Sequence, residues 1–278
     1  MSHSSSHSPS PDDNTASLAA SEIESKSKTL IIAGGTDGIG FALLTSELLR
    51  SKYSKIFVLG REFALVRQLL VSSRDDTNTP QAQQEIVELS CDITRLDEIG
   101  TTLAKIENDS IHDFVLTIGT FHRGKIADMM RTTEDGEDNN KNHDDVVADH
   151  FHLNCVSTIH LIRSMIPKLV KGDSQILVCT ASLAVKARSP YGLQSATKAA
   201  LRSFVDTLRI ELVGNTRVMN LMPPSVDTRI FEKAGDSRTT DLYPPPSRIA
   251  NTMKYMLDCP FDICIPELLI EQHNFNDR

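Results

Sequence analysis

Gly34, Gly38 and Gly40 follow directly on the short apolar run Leu30-Ile31-Ile32, in the stretch LIIAGGTDGIG. The run reads as a buried strand, and the residues after it, Phe41, Ala42, Leu43, Leu44, Leu48 and Leu49, fall on one broad helical face. A chain that leaves a strand and turns sharply into a helix needs residues without a Cβ. They tolerate positive φ and let the backbone approach a ligand closely. Free N–H groups at such a helix start suit an anion, usually a pyrophosphate, so the stretch predicts dinucleotide binding.

A second group of reactive residues lies far down the chain. Lys198 stands in the helical segment Tyr191-Gly-Leu-Gln194-Ser-Ala-Thr-Lys198-Ala-Ala-Leu, which begins near Pro190. Gln194 is four residues before the lysine, and a neutral carboxamide has no acidic proton to give near neutral pH. Tyr191, seven residues before Lys198, would share its helical face nearly two turns away. The alternative role for Tyr191 is packing at the helix start. Asn154 lies in the middle of Val146–Val170, a predicted helix whose stripe is Phe151, Cys155, Ile159, Ile162 and Ile166. Asparagine is a poor helix former, so it needs a reason there, either functional or a satisfied buried amide.

The elements that would hold these residues alternate strand and helix. Predicted strands are Lys55–Leu59, Glu85–Ser90, Asp113–Gly119, Gln175–Thr180, Thr216–Leu221 and Ile263–Ile270, with a late helix at Ser247–Leu257. Lys55–Leu59 ends in Gly60-Arg61. In dinucleotide folds a carboxylate at that strand tip takes a ribose 2′-hydroxyl, whereas an arginine accommodates a 2′-phosphate, so Arg61 favours NADP over NAD. The plainer role for Arg61 is a surface residue beside Glu62.

Composition bounds the rest. The chain has 278 residues, 40% hydrophobic and 24% charged, which suits one large α/β domain. Its net charge is −8, and residues 132–145 carry six acids against one lysine. No basic face is indicated, so nucleic acid is not an expected partner. Five scattered cysteines, Cys91, Cys155, Cys179, Cys259 and Cys264, predict reduced, buried thiols in a cytoplasmic setting and no metal site. No apolar run reaches the roughly 18 residues of a membrane span. Residues 1–27, rich in serine, predict a disordered tail, and residues 132–145 a solvated loop without the spacing of a calcium site.

The glycine spacing G-x-x-x-G-x-G resembles the opening T-G-x-x-x-G-I-G of the short-chain dehydrogenase/reductase family, with Ala33 in place of the threonine. The likeness runs from about Lys28 to about Gln272. It implies a single doubly wound Rossmann-type domain with a mostly parallel sheet of about seven strands, helices on both faces, and a substrate lid at 229–245. It also implies that Gly34, Thr36, Asp37, Gly38, Ile39 and Gly40 hold the cofactor, with Asp92 and Ile93 beside the adenine; Asp92 could otherwise cap the next helix. Gly119 would leave room for the nicotinamide ribose. The segment Met222-Pro223-Pro224-Ser225-Val226-Asp227-Thr228 resembles the family's P-G-x-V-x-T, so Pro223, Val226 and Thr228 would close over the nicotinamide.

By the same resemblance Ser182 would fix the substrate oxygen, Lys198 would hold the ribose and lower a tyrosine pKa, and Asn154 would kink its helix and hold a water. The departures are local. Gln194 stands where the family has its acid tyrosine, which leaves Tyr191 as the candidate donor. Ser182 is one position late, the usual spacing falling on Ala181. Leu116-Thr117-Ile118-Gly119 replaces N-N-A-G, and Pro224 replaces a glycine. The expectation is an NADP(H)-dependent oxidoreductase interconverting a carbonyl and an alcohol on a small organic substrate, as a homodimer or homotetramer. The alternatives are non-redox isomerisation or elimination, and cofactor binding without turnover.

Overall fold

The computed structural model describes residues 28–46, 52–72, 84–127, 143–237 and 240–273. The tail 1–27, most of the acidic stretch 132–145, and Leu48 and Leu49 lie outside them. The strands are β1 (Lys28–Ala33), β2 (Tyr53–Gly60), β3 (Glu85–Ser90), β4 (Asp113–Leu116), β5 (Ser174–Cys179), β6 (Thr216–Met222) and β7 (Glu267–Leu269). They form one seven-stranded sheet in the order β3-β2-β1-β4-β5-β6-β7. Every pairing is parallel. The helices are α1 (Gly38–Leu44), α2 (Ala64–Ser72), α3 (Leu96–Leu103), α4 (His143–Phe151), α5 (Thr158–Met165), α6 (Gly192–Glu211), α7 (Ile230–Lys233) and α8 (Pro246–Asp258).

Strand alternation builds two cores from one sheet. Ile31 and Ala33 of β1 point into a layer with Ile99 and Leu103 of α3, Leu161 and Met165 of α5, and Leu201 and Val205 of α6. Leu30 and Ile32 point the other way, onto Leu43 of α1, Val66 of α2 and Met253 of α8. Burial on both faces is why these strands read as continuous apolar runs. The chain moves outward from β1 to β3, then returns to place β4 on the other side of β1. The carboxyl ends of β1 and β4 therefore flank a switch point, where open α/β sheets bind ligands.

Several expected boundaries shift. Strand β4 stops at Leu116 rather than Gly119: the Thr117 N–H (2.8 Å) makes the last ladder bond to the Ala33 carbonyl, and the Thr117 hydroxyl (3.1 Å) donates to the same oxygen. The last strand shrinks to Glu267–Leu269 at the sheet edge, just after Pro266, which has no N–H to give. The expected helix 146–170 is interrupted by a π-turn over His152–Ser157 and ends in a 3-10 turn at Ile166–Lys168 containing Pro167. Asn154, Ser157, Thr158, Leu161 and Met165 are buried along it; of the expected stripe Cys155 and Ile162 are buried, Ile159 and Ile166 are partly buried against the core, and Phe151 is partly buried. The long helix α6 begins at Gly192, with Tyr191 as its N-cap. Not all thiols are buried, since Cys259 is partly open and Cys264 exposed in the loop after α8.

Candidate active site

The carboxyl edge of the sheet holds a cleft of about 240 Å³. Gly34, Thr36, Asp37, Gly38, Ile39, Arg61, Asp92, Ile93, Gly119 and Thr228 of the expected cofactor residues line it. Thr94, Thr117, Ile118, Leu153, Arg229, Ile230 and Lys233 also line it, and sequence reasoning did not single them out. Gly40, Lys198, Pro223 and Val226 are not among the residues that line it.

The cradle depends on absent side chains. Gly34 has φ +90°, and a Cβ there would sit 2.6 Å from Thr117 Oγ1. A Cβ on Gly40 would meet the Gly34 carbonyl oxygen at 2.3 Å, so the turn closes on itself only with glycine. Thr117, where the family has the second asparagine, braces this turn with its hydroxyl.

Two carboxylates lie in the cleft, each already matched by positive charge. Asp37 accepts from the Gly38 N–H through Oδ1 at 2.7 Å. Its other oxygen receives Arg229 Nε at 3.1 Å, Arg229 Nη2 at 2.9 Å and Lys233 Nζ at 2.7 Å. Burial alone would raise the Asp37 pKa, but the Lys233, Arg229 and Gly38 donors outweigh it and hold the carboxyl below its usual range. Asp92 receives the N–H (3.0 Å) and hydroxyl (2.7 Å) of Thr94, and Arg61 lies 3.7 Å from its other oxygen. Asp92 thus shapes the turn into α3 while facing the cleft.

At the inner end, Gly119 is the gap through which the cleft meets Lys198. A Cβ on Gly119 would lie 3.0 Å from Lys198 Nζ and 3.2 Å from Asn154 Oδ1. Lys198 is buried and makes no ion pair among the described residues. Burial pulls its ammonium below the usual lysine range, only partly opposed by the nearby Cys179 and Cys155. The Cys179 thiol, itself pushed up to about 12 by burial, stays protonated.

The π-turn aims Asn154 at the loop after β4. Asn154 Oδ1 accepts from the Thr120 N–H at 2.9 Å, and Nδ2 donates to the Thr120 carbonyl at 3.2 Å. One turn earlier His150 Nε2 lies 2.9 Å from Asn154 Nδ2 and 2.8 Å from Gln194 Oε1. A single ring nitrogen can accept from one or donate to the other, and in either tautomer the imidazole is neutral. Burial drives the His150 pKa down to about 4, against the Gln194 hydrogen bond. The carboxamide of Gln194, at the acid tyrosine's position, is thus buried and engaged with His150. His150 was missed from the sequence; its one signal is a spacing of four residues from Asn154.

Ser182 opens a short turn (Ser182–Ala184) against which α6 packs, with its N–H donated to the Pro223 carbonyl at 2.8 Å. Tyr191 is half-buried at the mouth of α6. Its ring centroid is 5.8 Å from that of Phe121, which lies 4.8 Å from Phe231, which lies 5.6 Å from Tyr243. This row of four rings joins the loop after β4 to the lid. Tyr191 is the N-cap of α6, three residues before Gln194 and seven before Lys198, and its ring packs on Phe121.

A fold of this kind, with a cleft at the carboxyl edge of its sheet, defines a doubly wound α/β protein. Residues 28–239 match the short chain dehydrogenase family, and the chain belongs to it. Among its relatives is an uncharacterized oxidoreductase, DltE, of Bacillus subtilis, 27% identical over 207 residues, covering 72% of each chain. Two solved structures share the fold. One is an alcohol dehydrogenase of Thermococcus sibiricus complexed with 5-hydroxy-NADP, with TM-score 0.69 and 19% identity over 87% of this chain and 95% of that one. The other is a short-chain dehydrogenase of Sphingobium yanoikuyae in complex with NADPH, with TM-score 0.67 and 18% identity over 84% and 85%. Among the described residues, no helix is long and apolar enough to cross a membrane, and no group of three or more His, Cys, Asp or Glu could hold a metal ion.

Proposed function

We propose that the protein is an NADP(H)-dependent oxidoreductase that interconverts a carbonyl and an alcohol on a small organic substrate. The observation that carries this is the Lys198 ammonium, lodged without an ion pair among the described residues, behind Gly119 at the inner end of a glycine-walled cleft. A dinucleotide fits the residues present. The cradle around Gly34 and Gly40 has no room for a Cβ, Asp92 and Ile93 line the far wall, and Arg61 supplies a cation for a 2′-phosphate. The NADP-type ligands of the two structural neighbours support the same choice. Bound there, the nicotinamide would supply or accept the hydride.

The chain's own residues do the rest. Lys198 stabilises negative charge developing on the substrate oxygen, in a site where low exposure strengthens the effect. Ser182 orients that oxygen, and Asn154 fixes the loop at Thr120 that borders Gly119. Tyr191 supplies the proton on reduction and takes it back on oxidation. Of the four tyrosines, Tyr53 is buried at the opposite sheet edge, Tyr255 is exposed on α8, and Tyr243 belongs to the lid.

The test follows NADPH absorbance against a panel of aldehydes, ketones and quinones. Turnover that Tyr191→Phe abolishes while NADPH still binds supports the proposal. Turnover untouched by Tyr191→Phe removes the tyrosine from it. One observation favours a second reading, binding without turnover: the Gln194 carboxamide is buried and bonded to His150. Activity appearing only in Gln194→Tyr would select that reading.

A further inference from the structure

The lid carries two cations into the cleft and a carboxylate holds them there. Arg229 precedes α7 and Lys233 ends it, so the two side chains lie one helical turn apart on the same face. Both line the cleft, and both reach across about 190 residues of sequence to Asp37 in the glycine turn. Three N–H donors from these two side chains converge on one oxygen, Asp37 Oδ2. That is the donor set an anionic phosphate oxygen would draw: a guanidinium offering two N–H groups together, and an ammonium. The side chains of Arg229 and Lys233 remain about half exposed at 54% and 53%, against 25% for Asp37, so they can turn without unpacking the core. Two cations face the one Asp37 carboxylate, with Glu232 and Glu62 also acting on Arg229.

We propose that Arg229 and Lys233 are phosphate ligands of the bound dinucleotide, and that Asp37 is an internal stand-in for that phosphate in the free protein. This rests on the dinucleotide reading above and deepens it. Without nucleotide, the carboxylate holds the lid's cations over the cleft. When a nucleotide enters, its phosphate displaces Asp37 Oδ2 from them, and the lid becomes tied to the ligand instead of to the turn. Asp37 thus lowers affinity while keeping the two donors positioned. Arg229 and Lys233 lie in a lid whose sequence gives no phosphate motif, and the juxtaposition with Asp37 is visible only in three dimensions.

Calorimetric titration with NADPH and NADH tests this on the wild-type chain, Asp37→Asn, Arg229→Gln with Lys233→Gln, and the triple variant. Asp37→Asn keeps an oxygen for the Gly38 N–H, so the turn retains its cap, and thermal melting verifies that each variant is folded. Asp37→Asn is expected to tighten binding several-fold, and the double variant to weaken it by roughly tenfold or more, as loss of charge-assisted bonds requires. The gain from Asp37→Asn must vanish in the triple variant, because no cations remain to be released. An effect on both nucleotides assigns the pyrophosphate, and an effect on NADPH alone assigns the 2′-phosphate. Unchanged or weaker binding by folded Asp37→Asn overturns the proposal while leaving the dinucleotide reading intact, as does a gain that persists in the triple variant. No binding of either nucleotide by wild type or Asp37→Asn overturns both.

Discussion

The two edges of the sheet spend their polar residues in opposite ways. At the amino edge, Lys28 pairs with Asp173 at 2.8 Å, and Lys52 with Asp113 at 3.1 Å. The buried Tyr53 hydroxyl donates to the same Asp113, and burial first, then that carboxylate, drives the tyrosine pKa well above its usual value. Arg217 bonds Gln175 and the carbonyls of Cys259 (3.0 Å) and Pro260 (2.8 Å). These ties join segments far apart in sequence, although Asp113 Oδ1 is buried without a hydrogen bond. At the carboxyl edge the turns are built of glycines, the cleft stays open, and Lys198 is buried with no counter-ion among the described residues. A protein optimised only for stability would not bury a lone ammonium, so the contrast locates function at that edge.

Substitutions at the two edges should therefore separate stability from binding and turnover. The largest expected effect is at the amino edge. Asp113→Ala leaves the buried Tyr53 hydroxyl without its acceptor and Lys52 with only the Leu257 carbonyl and Asp258, and should cost about 3–5 kcal/mol in a denaturant melt. Dinucleotide affinity of the folded fraction should be unchanged. A loss of affinity there would break the division between edges. At the carboxyl edge Lys198→Met should slow turnover by roughly a hundredfold to a thousandfold, about 3–4 kcal/mol of transition-state stabilisation. Its melting temperature should stay level or rise, because a desolvated charge is removed. A lysine that proved structural would give the reverse, lower melting with turnover kept.

The pH dependence of stability sharpens the same comparison. His150 is neutral in the fold, with its pKa depressed from 6.5 to about 4. The unfolded chain binds the extra proton first, so the stability contributed by neutral His150 is full above pH 6.5 and lost as pH falls towards 4. That loss amounts to up to about 3 kcal/mol. Denaturant melts from pH 7 to pH 4, taken as the difference between wild type and His150→Gln, measure it. The smallest effect is at the turn. Gly40→Ala drives a methyl group into the Gly34 carbonyl and should cost about 1–3 kcal/mol of overpacking. It should appear as weaker nucleotide binding in calorimetry rather than as loss of the sheet.

Much of this was legible from residues alone. The central strands β1, β4, β5 and β6 announce themselves because both of their faces are buried, and the glycine turn because its spacing joins a strand to a helix. Ten of the expected cofactor residues line the cleft. The rest was illegible for physical reasons. His150 lies on α4 just before the π-turn, a polar residue beside the apolar stripe, so periodicity gave no sign of it. Arg229 and Lys233 meet Asp37 only because the lid folds back over the first turn, and no local pattern encodes a contact so distant in sequence. Thr117 looked like a lost asparagine, yet its hydroxyl braces Gly34 and Gly40 from the neighbouring strand.

The central claim is a cleft at the β1–β4 switch point made for a nicotinamide nucleotide bearing an extra phosphate. Calorimetric titration of the full chain with NADPH and, in parallel, NADH tests it most directly. The account predicts saturable binding of both, with NADPH tighter by about tenfold through its charge-assisted contacts. Heat from neither nucleotide, or a clear preference for NADH, would contradict it.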